Sequence, residues 1–335
     1  MQIDFHYYCT AVLARAAGFS SEDSQKIAYS CQYVDNATES ELLQINSTCF
    51  EPVRTAHQGL LSFDWSIQRN VFIPFHFLPH TLGALVNGEF DTKADSHFAQ
   101  KILIKAKDDI TNRRILKIGI ALHTYEDTWS HEPFSGRNNV ENDCDKVSIM
   151  NKGLLQVVKE IKYNAFDILV NRIKVDVGHL KAGYLPDIPF LNWKCYVGGK
   201  VHNFFANRYV IAAKCVYEYL CSALENKPVK SWRELEQSVT RALSYVEWNL
   251  DRRCENWRLL YKELFGVELR SYNQLDWRKD ALNAKENKLV MWEYSKFDFS
   301  KANYKVENNF DRKEWFLFHK AAEEQLRMVM REMRG

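Results

Sequence analysis

The sequence predicts an all-α protein with a multi-helix core and a helical C-terminal extension. Several stretches carry apolar residues at helical spacing, most clearly 201–224. Only 13 Gly and 7 Pro occur among the 335 residues, which argues against an all-β or repeat design. Hydrophobic residues make up 46% of the chain, enough for the core of one large domain or two ordinary ones.

The first two helices are predicted from their end signals. Residues 4–17 are expected to form a short helix that Gly18 closes, since a helix commonly ends at a glycine. Ser20, with Asp23 three residues later, marks the start of the next helix. That second helix is expected to end just before Asp35.

The sequence between residues 45 and 146 changes from an irregular to a helical pattern and then to a loop. Irregular structure is expected around 45–90, where Pro74 and strand-like aromatic residues interrupt helical spacing. Helices are expected again over 94–107 and 110–131. The stretch FSGRNNVENDCDK, residues 134–146, has the composition of a polar loop.

A long helix is predicted over 154–169, and the glycines and prolines of 178–190 indicate a structured loop or a short broken helix. Further helices are expected over 201–224, within 232–265 and over 311–334.

Helical periodicity weakens over residues 266–310, which are rich in Asn, Lys and aromatic residues. We therefore interpret 1–225 as a helical metal-binding core and 226–335 as a helical, aromatic-rich extension packed on it.

Composition narrows the partners and the compartment. With 45 basic and 43 acidic residues, the chain does not require nucleic acid as a partner, nor does it exclude a substrate that carries phosphate. Its eight cysteines form no Cys-x-x-Cys pair and are interpreted as reduced, buried thiols of a cytoplasmic protein. Neither a signal peptide nor an apolar stretch of the ~18 residues needed to cross a bilayer is evident.

The stretch that organises the prediction is GIALHTYEDTWSHEPFSGR, residues 119–137. It places His123, Asp127 and His131 four residues apart, so that on a helix the three side chains drift by only about 80° and share one face. Neutral imidazole and carboxylate together suit zinc and neighbouring first-row metals. The sequence therefore predicts a metal site on this helix; the alternative is a hydrogen-bonded polar network without metal.

Six further acids and imidazoles lie in apolar or turn-forming surroundings elsewhere in the chain. Because a buried charge without a partner is costly, we expect these groups to meet each other or a cation. Each has an ordinary alternative: the aspartates can cap helices or end turns, and the histidines can be core residues. The six are Asp4, His6, Asp35, His76, His179 and Asp187. His80 and His202 remain open as further members.

Other chemistries find no matching motif in this sequence. A glycine-rich phosphate loop is absent, and Ser135 does not lie in a Gly-x-Ser-x-Gly elbow. The pair His131-Glu132 lacks the second histidine of a His-Glu-x-x-His site. Cys/His zinc-finger spacing does not occur, and none of the histidines is followed directly by aspartate.

Five short strings resemble an uncharacterised bacterial family across roughly residues 1–200. They are DFHYY at 4–8, QYVD at 32–35, PFHFLP at 74–79, HTYEDTWSHEPFSG at 123–136 and GHLKAGYLPDIP at 178–189. The resemblance is specific in its motifs but implies no activity.

The metal-helix string His-x-x-x-Asp-x-x-x-His also resembles, more distantly, the zinc-dependent phospholipase C and P1 nuclease superfamily. That superfamily is all-helical, binds up to three zinc ions, hydrolyses phosphate esters and uses its N-terminal segment as a source of ligands. The resemblance implies a metal-hydrolase-like core here. Where the superfamily often has a later His-x-x-x-Glu/Asp pair, this chain has His179 and Asp187, eight residues apart.

Carried over residue by residue, the superfamily resemblance implies a role for each candidate. His123 and Asp127 would bind metal with Asp35 and His76, and Asp127 would bridge two ions. A neighbouring site would consist of His131, His179 and Asp187, while His6, with Asp4, would close the N-terminal side. Asp35 is also the candidate base for the attacking water, and Arg137 the candidate phosphate contact.

We therefore predict a metal-dependent, zinc-type phosphoesterase with up to three ions. Its expected substrate is a nucleotide or nucleic acid, with a phospholipid less favoured. Two alternative functions remain open. One is a non-catalytic helical interaction protein with a structural metal or none. The other is a metal hydrolase of a different bond, such as an amide.

Overall fold

The computed structural model describes residues 1–40, 42–45, 48–57, 64–151, 177–282 and 309–335, and these are mostly helical. The helices are α1 Thr10–Ala17, α2 Ser21–Tyr33, α3 Trp65–Ile67, α4 Ala84–Asn87, α5 His97–Lys107, α6 Arg114–His131, α7 Asn207–Ser222, α8 Trp232–Leu243, α9 Leu250–Phe265, α10 Asp276–Leu282 and α11 Glu314–Glu332. The predicted helix over 154–169 lies outside the described residues.

Two wider π-helical stretches adjoin these helices. Asp4–Cys9 leads directly into α1, and α3 continues into Gln68–His76. Single turns of 3₁₀ helix are formed by Val140–Asn142, Leu180–Ala182, Leu185–Asp187 and Phe310–Arg312. The predicted structured loop at 178–190 is confirmed, because it is built around the second and third of these turns.

The all-α prediction is wrong in one respect: the fold contains two small antiparallel sheets. β1 Leu43–Ile45 pairs with β2 Thr48–Phe50. β3 Cys144–Ile149, β4 Trp193–Val197 and β5 Lys200–Phe204 form a three-stranded sheet in that order. Residues 201–204, predicted to begin a helix, instead belong to β5, and the helix begins at Asn207.

The end signals of the first helices are confirmed. Gly18 adopts a φ of 118° at the end of α1, a conformation that favours glycine because other residues carry a Cβ atom. The Ser20 side chain accepts a hydrogen bond from the backbone N–H of Asp23 at the start of α2. Asp35 follows within two residues of the end of α2, as expected.

Helix α6 runs through the main hydrophobic core and packs against α2, α5 and α11. The Gln325 side chain of α11 donates hydrogen bonds to Thr124 Oγ1 of α6, at 2.9 Å, and to the Pro74 carbonyl, at 3.4 Å. The later helix therefore ties α6 to the π-helical stretch that ends at His76.

Residues on both sides of the proposed boundary at residue 225 contribute to the same hydrophobic core. Leu235 and Val239 of α8 and Trp315 of α11 are fully buried in it, together with α1 and α2 side chains. A second, smaller core lies under the three-stranded sheet, where Trp193, Cys195 and Val197 of β4 point inward. The division into two domains stays a prediction.

Among the helices that the structure describes, none combines the length and apolarity needed to span a bilayer. All eight cysteines are free thiols. Cys49 is exposed, and Cys215 and Cys221 are half-buried, so the expectation of uniformly buried thiols is wrong for these three.

Gly119 lets α6 approach α2 closely, and this contact predicts an unusual mutational effect. In an ordinary helix, alanine is favoured over glycine by about 1 kcal/mol. At residue 119, however, a Cβ atom would lie 2.4 Å from the Ile27 carbonyl oxygen and 2.6 Å from Ser30 Cβ. We expect Gly119→Ala to lower the free energy of unfolding by about 1–3 kcal/mol in chemical denaturation, through overpacking.

The baseline for that measurement comes from exposed Lys105 of α5. The difference in stability between Lys105→Gly and Lys105→Ala reports the usual glycine-to-alanine gain in this protein. A Gly119→Ala variant as stable as the parent, or more stable, would contradict the close packing of the two helices.

Candidate metal centre

Six elements deliver the predicted ligands to one buried region. Helix α6 carries the triplet His123, Asp127 and His131, which are all buried. The other contributors are the π-helical stretch with His6, the end of α2 with Asp35, the second π-helical stretch with His76, and the two 3₁₀ turns around His179 and Asp187. Every predicted metal ligand except Asp4 lies in this cluster.

The first ligand group consists of Asp35, His76, His123 and Asp127. His76 Nδ1 lies 3.1 Å from His123 Nε2, and both nitrogens lie 3.3 Å from Asp127 Oδ2. Asp35 Oδ1 lies 3.7 Å from His76 Nδ1 and 3.6 Å from His123 Nε2. Four candidate ligand atoms from three parts of the chain, the end of α2, the stretch that ends at His76 and α6, thus lie close together.

These separations fit a tetrahedral metal site. With metal–ligand bonds of about 2.0–2.1 Å, the atoms at the corners of a zinc tetrahedron are about 3.3 Å apart. His76 Nδ1, His123 Nε2 and Asp127 Oδ2 lie 3.1 to 3.3 Å from one another and fit three corners of such a site, while Asp35 Oδ1 lies 3.6 to 3.7 Å from the two histidine nitrogens, on the side of the fourth position. A site with this donor set and these separations can hold zinc or a similar divalent ion.

A second ligand group lies beside the first and consists of His131, His179 and Asp187. His131 Nε2 lies 3.3 Å from Asp187 Oδ1, and His179 Nε2 lies 3.5 Å from Asp187 Oδ2. The two imidazole rings are 4.6 Å apart between their centroids. Asp127 lies between the groups, because its Oδ2 atom is also 3.6 Å from His131 Nδ1.

Backbone carbonyls fix which nitrogen of three histidines faces the cluster. His131 Nδ1 lies 2.7 Å from the His76 carbonyl oxygen, and His179 Nδ1 lies 2.9 Å from the Gly183 carbonyl oxygen. On the other side, His76 Nε2 lies 2.8 Å from the Thr55 carbonyl oxygen. A carbonyl only accepts, so each of these nitrogens carries the proton and leaves the other ring nitrogen with a free lone pair.

The α-amino group of Met1 brings a positive charge into the same region. It donates to Asp127 Oδ1 and to Ser130 Oγ, the latter at 3.1 Å, and lies 3.3 Å from Asp187 Oδ1. Burial favours the neutral amine, but the charges of Asp127 and Asp187 outweigh it and raise the pKa of the amino group to about 12. The two carboxylates therefore create a place that favours a cation.

The same charges keep the carboxylates ionised although both are buried. Burial opposes ionisation of Asp127, yet His131, the Met1 ammonium and His123 hold its pKa well below the usual value. Burial likewise opposes ionisation of Asp187, and the Met1 ammonium and His179 lower its pKa. Both groups can therefore act as anionic ligands.

The histidines divide into two electrostatic classes. Burial, reinforced by charge on His6, lowers the pKa of His123 to about 4, and burial together with His131 lowers that of His179 to about 4. These imidazoles are neutral at pH 7, the form that binds metal. For His6, hydrogen bonds with Asp127 and Glu126 outweigh burial and raise the pKa to about 9.

Two members of the cluster were missed by sequence reasoning. Glu126 is fully buried next to Asp127, and its Oε2 atom lies 2.7 Å from His6 Nδ1 and 3.3 Å from Cys31 Sγ. The signal for Glu126 was present: it is a second acid in an apolar helical stretch, on the side of α6 that faces α1 and α2. Nothing in the spacing pointed to Cys31.

The prediction that Asp4 joins His6 in the cluster is not supported by its position. Its Oδ2 atom lies 2.7 Å from Arg253 Nε, and both side chains are almost completely buried. Residues 4–9 are helical, in agreement with the helix predicted over 4–17. Side chains two residues apart on a helix point to nearly opposite sides, so His6 faces the cluster while Asp4 faces α9.

The remaining candidates lie against other groups. The guanidinium group of Arg137 stacks on the rings of Phe90 and Trp65, at 4.7 and 5.9 Å from their centroids. His80 Nδ1 lies 3.3 Å from Asp91 Oδ2, and His202 belongs to β5. The contacts described for these three residues include no member of the cluster.

Comparison with known proteins gives a family without an activity. A family model described as "Family of unknown function (DUF6765)" matches residues 1–333, nearly the whole chain. No curated protein and no solved structure matches the chain. What the cluster does must therefore be argued from its own geometry.

The different positions of Asp4 and His76 predict different effects of their substitution. We expect Asp4→Asn to retain zinc, but to lower the free energy of unfolding by about 3–5 kcal/mol because buried Arg253 loses the negative charge that balances its own. His76→Ala should lose zinc, measured by elemental analysis after purification. Denaturation in the presence of a chelator separates the two effects, and loss of zinc from the Asp4→Asn protein would return Asp4 to the ligand set.

Proposed function

This chain belongs to DUF6765, a family of unknown function, and we propose that it is a metal-dependent hydrolase of phosphate esters that uses zinc or a similar divalent ion. The observation that carries the proposal is that His76, His123 and Asp127 present three ligand atoms 3.1 to 3.3 Å apart, with Asp35 Oδ1 beside the two histidine nitrogens. The second group, His131, His179 and Asp187, lies beside Asp127 and supports a site with more than one ion. The distant resemblance of this chain to the zinc-dependent phospholipase C and P1 nuclease superfamily is part of the proposal.

The ligand set is more typical of a catalytic metal site than of a structural one. Divalent ions bound there would supply an activated water and offset negative charge on a phosphate ester. Structural zinc sites are usually closed by four protein ligands that are mostly sulfur and imidazole. Here two carboxylates take part in the first group, and a neighbouring group follows within a few ångströms.

Asp35 is the most accessible carboxylate of the cluster and the proposed base. Its side chain is 33% exposed, against 2% for Asp127 and 11% for Asp187. Gln32 Nε2 donates to Asp35 Oδ2 at 3.3 Å, which leaves Oδ1 facing His76 and His123. A carboxylate held in this way can take a proton from a water molecule entering from solvent.

A cavity beside the second ligand group favours a substrate with one small apolar or aromatic group. It has a volume of about 240 Å³, and His179 and Asp187 line it together with Phe72, Phe77 and Tyr184. A space of this size suits a nucleobase stacked on aromatic rings better than the two acyl chains of a phospholipid. We therefore favour a nucleotide or nucleic-acid phosphodiester.

Arg137 keeps its proposed role as a phosphate contact. Its guanidinium face is covered by Phe90 and Trp65. Stacking of this kind leaves the N–H edge of the guanidinium group free to bind phosphate oxygens in pairs. The stacked rings would also limit the side chain to a narrow range of positions.

The first test is metal dependence of hydrolysis. The purified protein is expected to contain zinc or a similar ion and to hydrolyse bis(4-nitrophenyl) phosphate, and a chelator should abolish the activity. Asp127→Asn should lower metal content and reduce kcat/KM by at least about 100-fold, because this carboxylate contacts both groups.

The control is Asp91→Asn, whose carboxylate contacts His80 away from the cluster and should leave activity unchanged. Metal-loaded protein that cleaves no phosphate ester would favour the structural-metal alternative. Faster cleavage of a 4-nitroanilide than of the ester would favour an amide hydrolase.

The cavity predicts a selective effect on substrates that carry a nucleobase. Tyr184 is 67% exposed, so its removal should leave the fold intact. We expect Tyr184→Ala to raise the KM for thymidine 5′-(4-nitrophenyl phosphate) by about 5-fold or more, the loss of one base–aromatic contact. The KM for methyl 4-nitrophenyl phosphate should change less, and an equal rise for both esters would contradict a base-binding cavity.

A further inference from the structure

Glu126 is the buried acid of the cluster that the proposed function leaves without a role. Three side chains surround its carboxylate: His6 Nδ1 at 2.7 Å and Cys31 Sγ at 3.3 Å from Oε2, and Thr10 Oγ1 at 2.8 Å from Oε1. The side chains of Glu126 and His6 are completely buried. An acidic side chain is rarely fully buried unless it is paired with other polar or charged groups.

Glu126 and Asp127 are consecutive on α6, and the His6 ring lies across both of them. Its Nδ1 atom faces Glu126, while its Nε2 atom lies 3.2 Å from Asp127 Oδ1. A ring that rotated about its Cβ–Cγ bond would lose both contacts together. The carboxylate of Glu126 therefore sets the direction in which Nε2 points.

The ring is also held from its face. His6 stacks on His123 with 4.1 Å between centroids and 27° between ring planes. His6 Nε2 faces Asp127 Oδ1, whereas His123 Nε2 faces Asp127 Oδ2, so the two imidazoles lie against different oxygens of one carboxylate. The 3.2 Å separation from Asp127 Oδ1 holds His6 Nε2 in that direction.

We propose that Glu126 is a positioning residue that holds His6 as a ligand on the N-terminal side of the metal site. This inference rests on the proposed function, because it assigns Glu126 the part that a carboxylate plays behind a metal-binding histidine. A carboxylate that accepts from Nδ1–H keeps the proton on that nitrogen, so an ion that binds would displace the proton of Nε2 and not that of Nδ1. Thr10 and Cys31 in turn hold the carboxylate.

The test measures zinc affinity rather than activity alone. Zinc is titrated against a competing chelator into the wild-type protein and the Glu126→Gln, His6→Ala and double variants. We expect Glu126→Gln to weaken the most loosely held zinc by about 10- to 100-fold. In the His6→Ala background, Glu126→Gln should cause no further loss, because Glu126 acts through His6.

Cobalt substitution supplies a readout that a purely structural role would not change. The visible absorption of bound Co²⁺ is expected to differ between the wild-type and Glu126→Gln proteins, since the donor strength of His6 changes. The matched control is Glu39→Gln, a buried carboxylate 3.3 Å from Arg278. It should lower stability without changing zinc affinity or the cobalt spectrum.

The possible outcomes distinguish failure of the positioning role of Glu126 from failure of the proposed function. Unchanged zinc affinity in the Glu126→Gln protein, or losses that add in the double variant, would overturn the positioning role while leaving the proposed function in place. If the wild-type protein takes up no zinc at all, both proposals fail. Should Glu126→Gln not fold, Thr10→Val removes one donor to the carboxylate and should weaken zinc binding in the same direction, and unchanged affinity in that variant would also overturn the role.

Discussion

The ionised carboxylate of Asp127 is the constraint around which the rest of the cluster is arranged. It is buried in the centre of the protein, where water cannot stabilise its charge. Its Oδ2 atom faces His76, His123 and His131, and its Oδ1 atom faces His6 and the Met1 ammonium. Because a buried charge is tolerated only with partners, the elements that carry these groups must be held together for α6 to remain in the core.

The two π-helical stretches explain how the protein brings histidines to this carboxylate from outside α6. Asp4–Cys9 carries His6, and Gln68–His76 ends at His76. A π-helical turn is wider than an α-helical one, it is rare, and it occurs often at functional sites. Pro74 lies inside the second stretch, where its missing N–H would break an ordinary helix. Both stretches therefore accept a less favourable backbone near the ligands that they place.

The parts of the cluster that could be predicted from sequence are those that depend on local periodicity. The triplet on α6 follows from spacing alone, because the helix fixes the directions of residues four apart. The meeting of His179 with Asp187 does not follow from their separation of eight residues. It depends on two 3₁₀ turns and on Gly183, whose φ of 60° lets its carbonyl reach His179 Nδ1.

Long-range contacts account for most of what sequence reasoning missed. The pairing of Asp4 with Arg253 joins residues that are 249 positions apart in the sequence, and no local pattern indicates it. The three-stranded sheet was missed for a related reason: β3 and β4 are short and lie far apart in the sequence, with only β4 and β5 joined by a tight turn. Short alternating stretches acquire their meaning only when a partner strand is known.

The hydrogen bonds from Gln325 bear on the order in which the protein matures. Every proposed ligand has been translated by residue 187, yet the side chain that joins α6 to the end of the His76 stretch belongs to α11. A nascent chain on the ribosome therefore carries all of the proposed ligands before α11 has been synthesised. During that interval the two hydrogen bonds from Gln325 are missing, so an ion bound as we propose would meet the completed arrangement of α6 and the His76 stretch only after synthesis has passed α11.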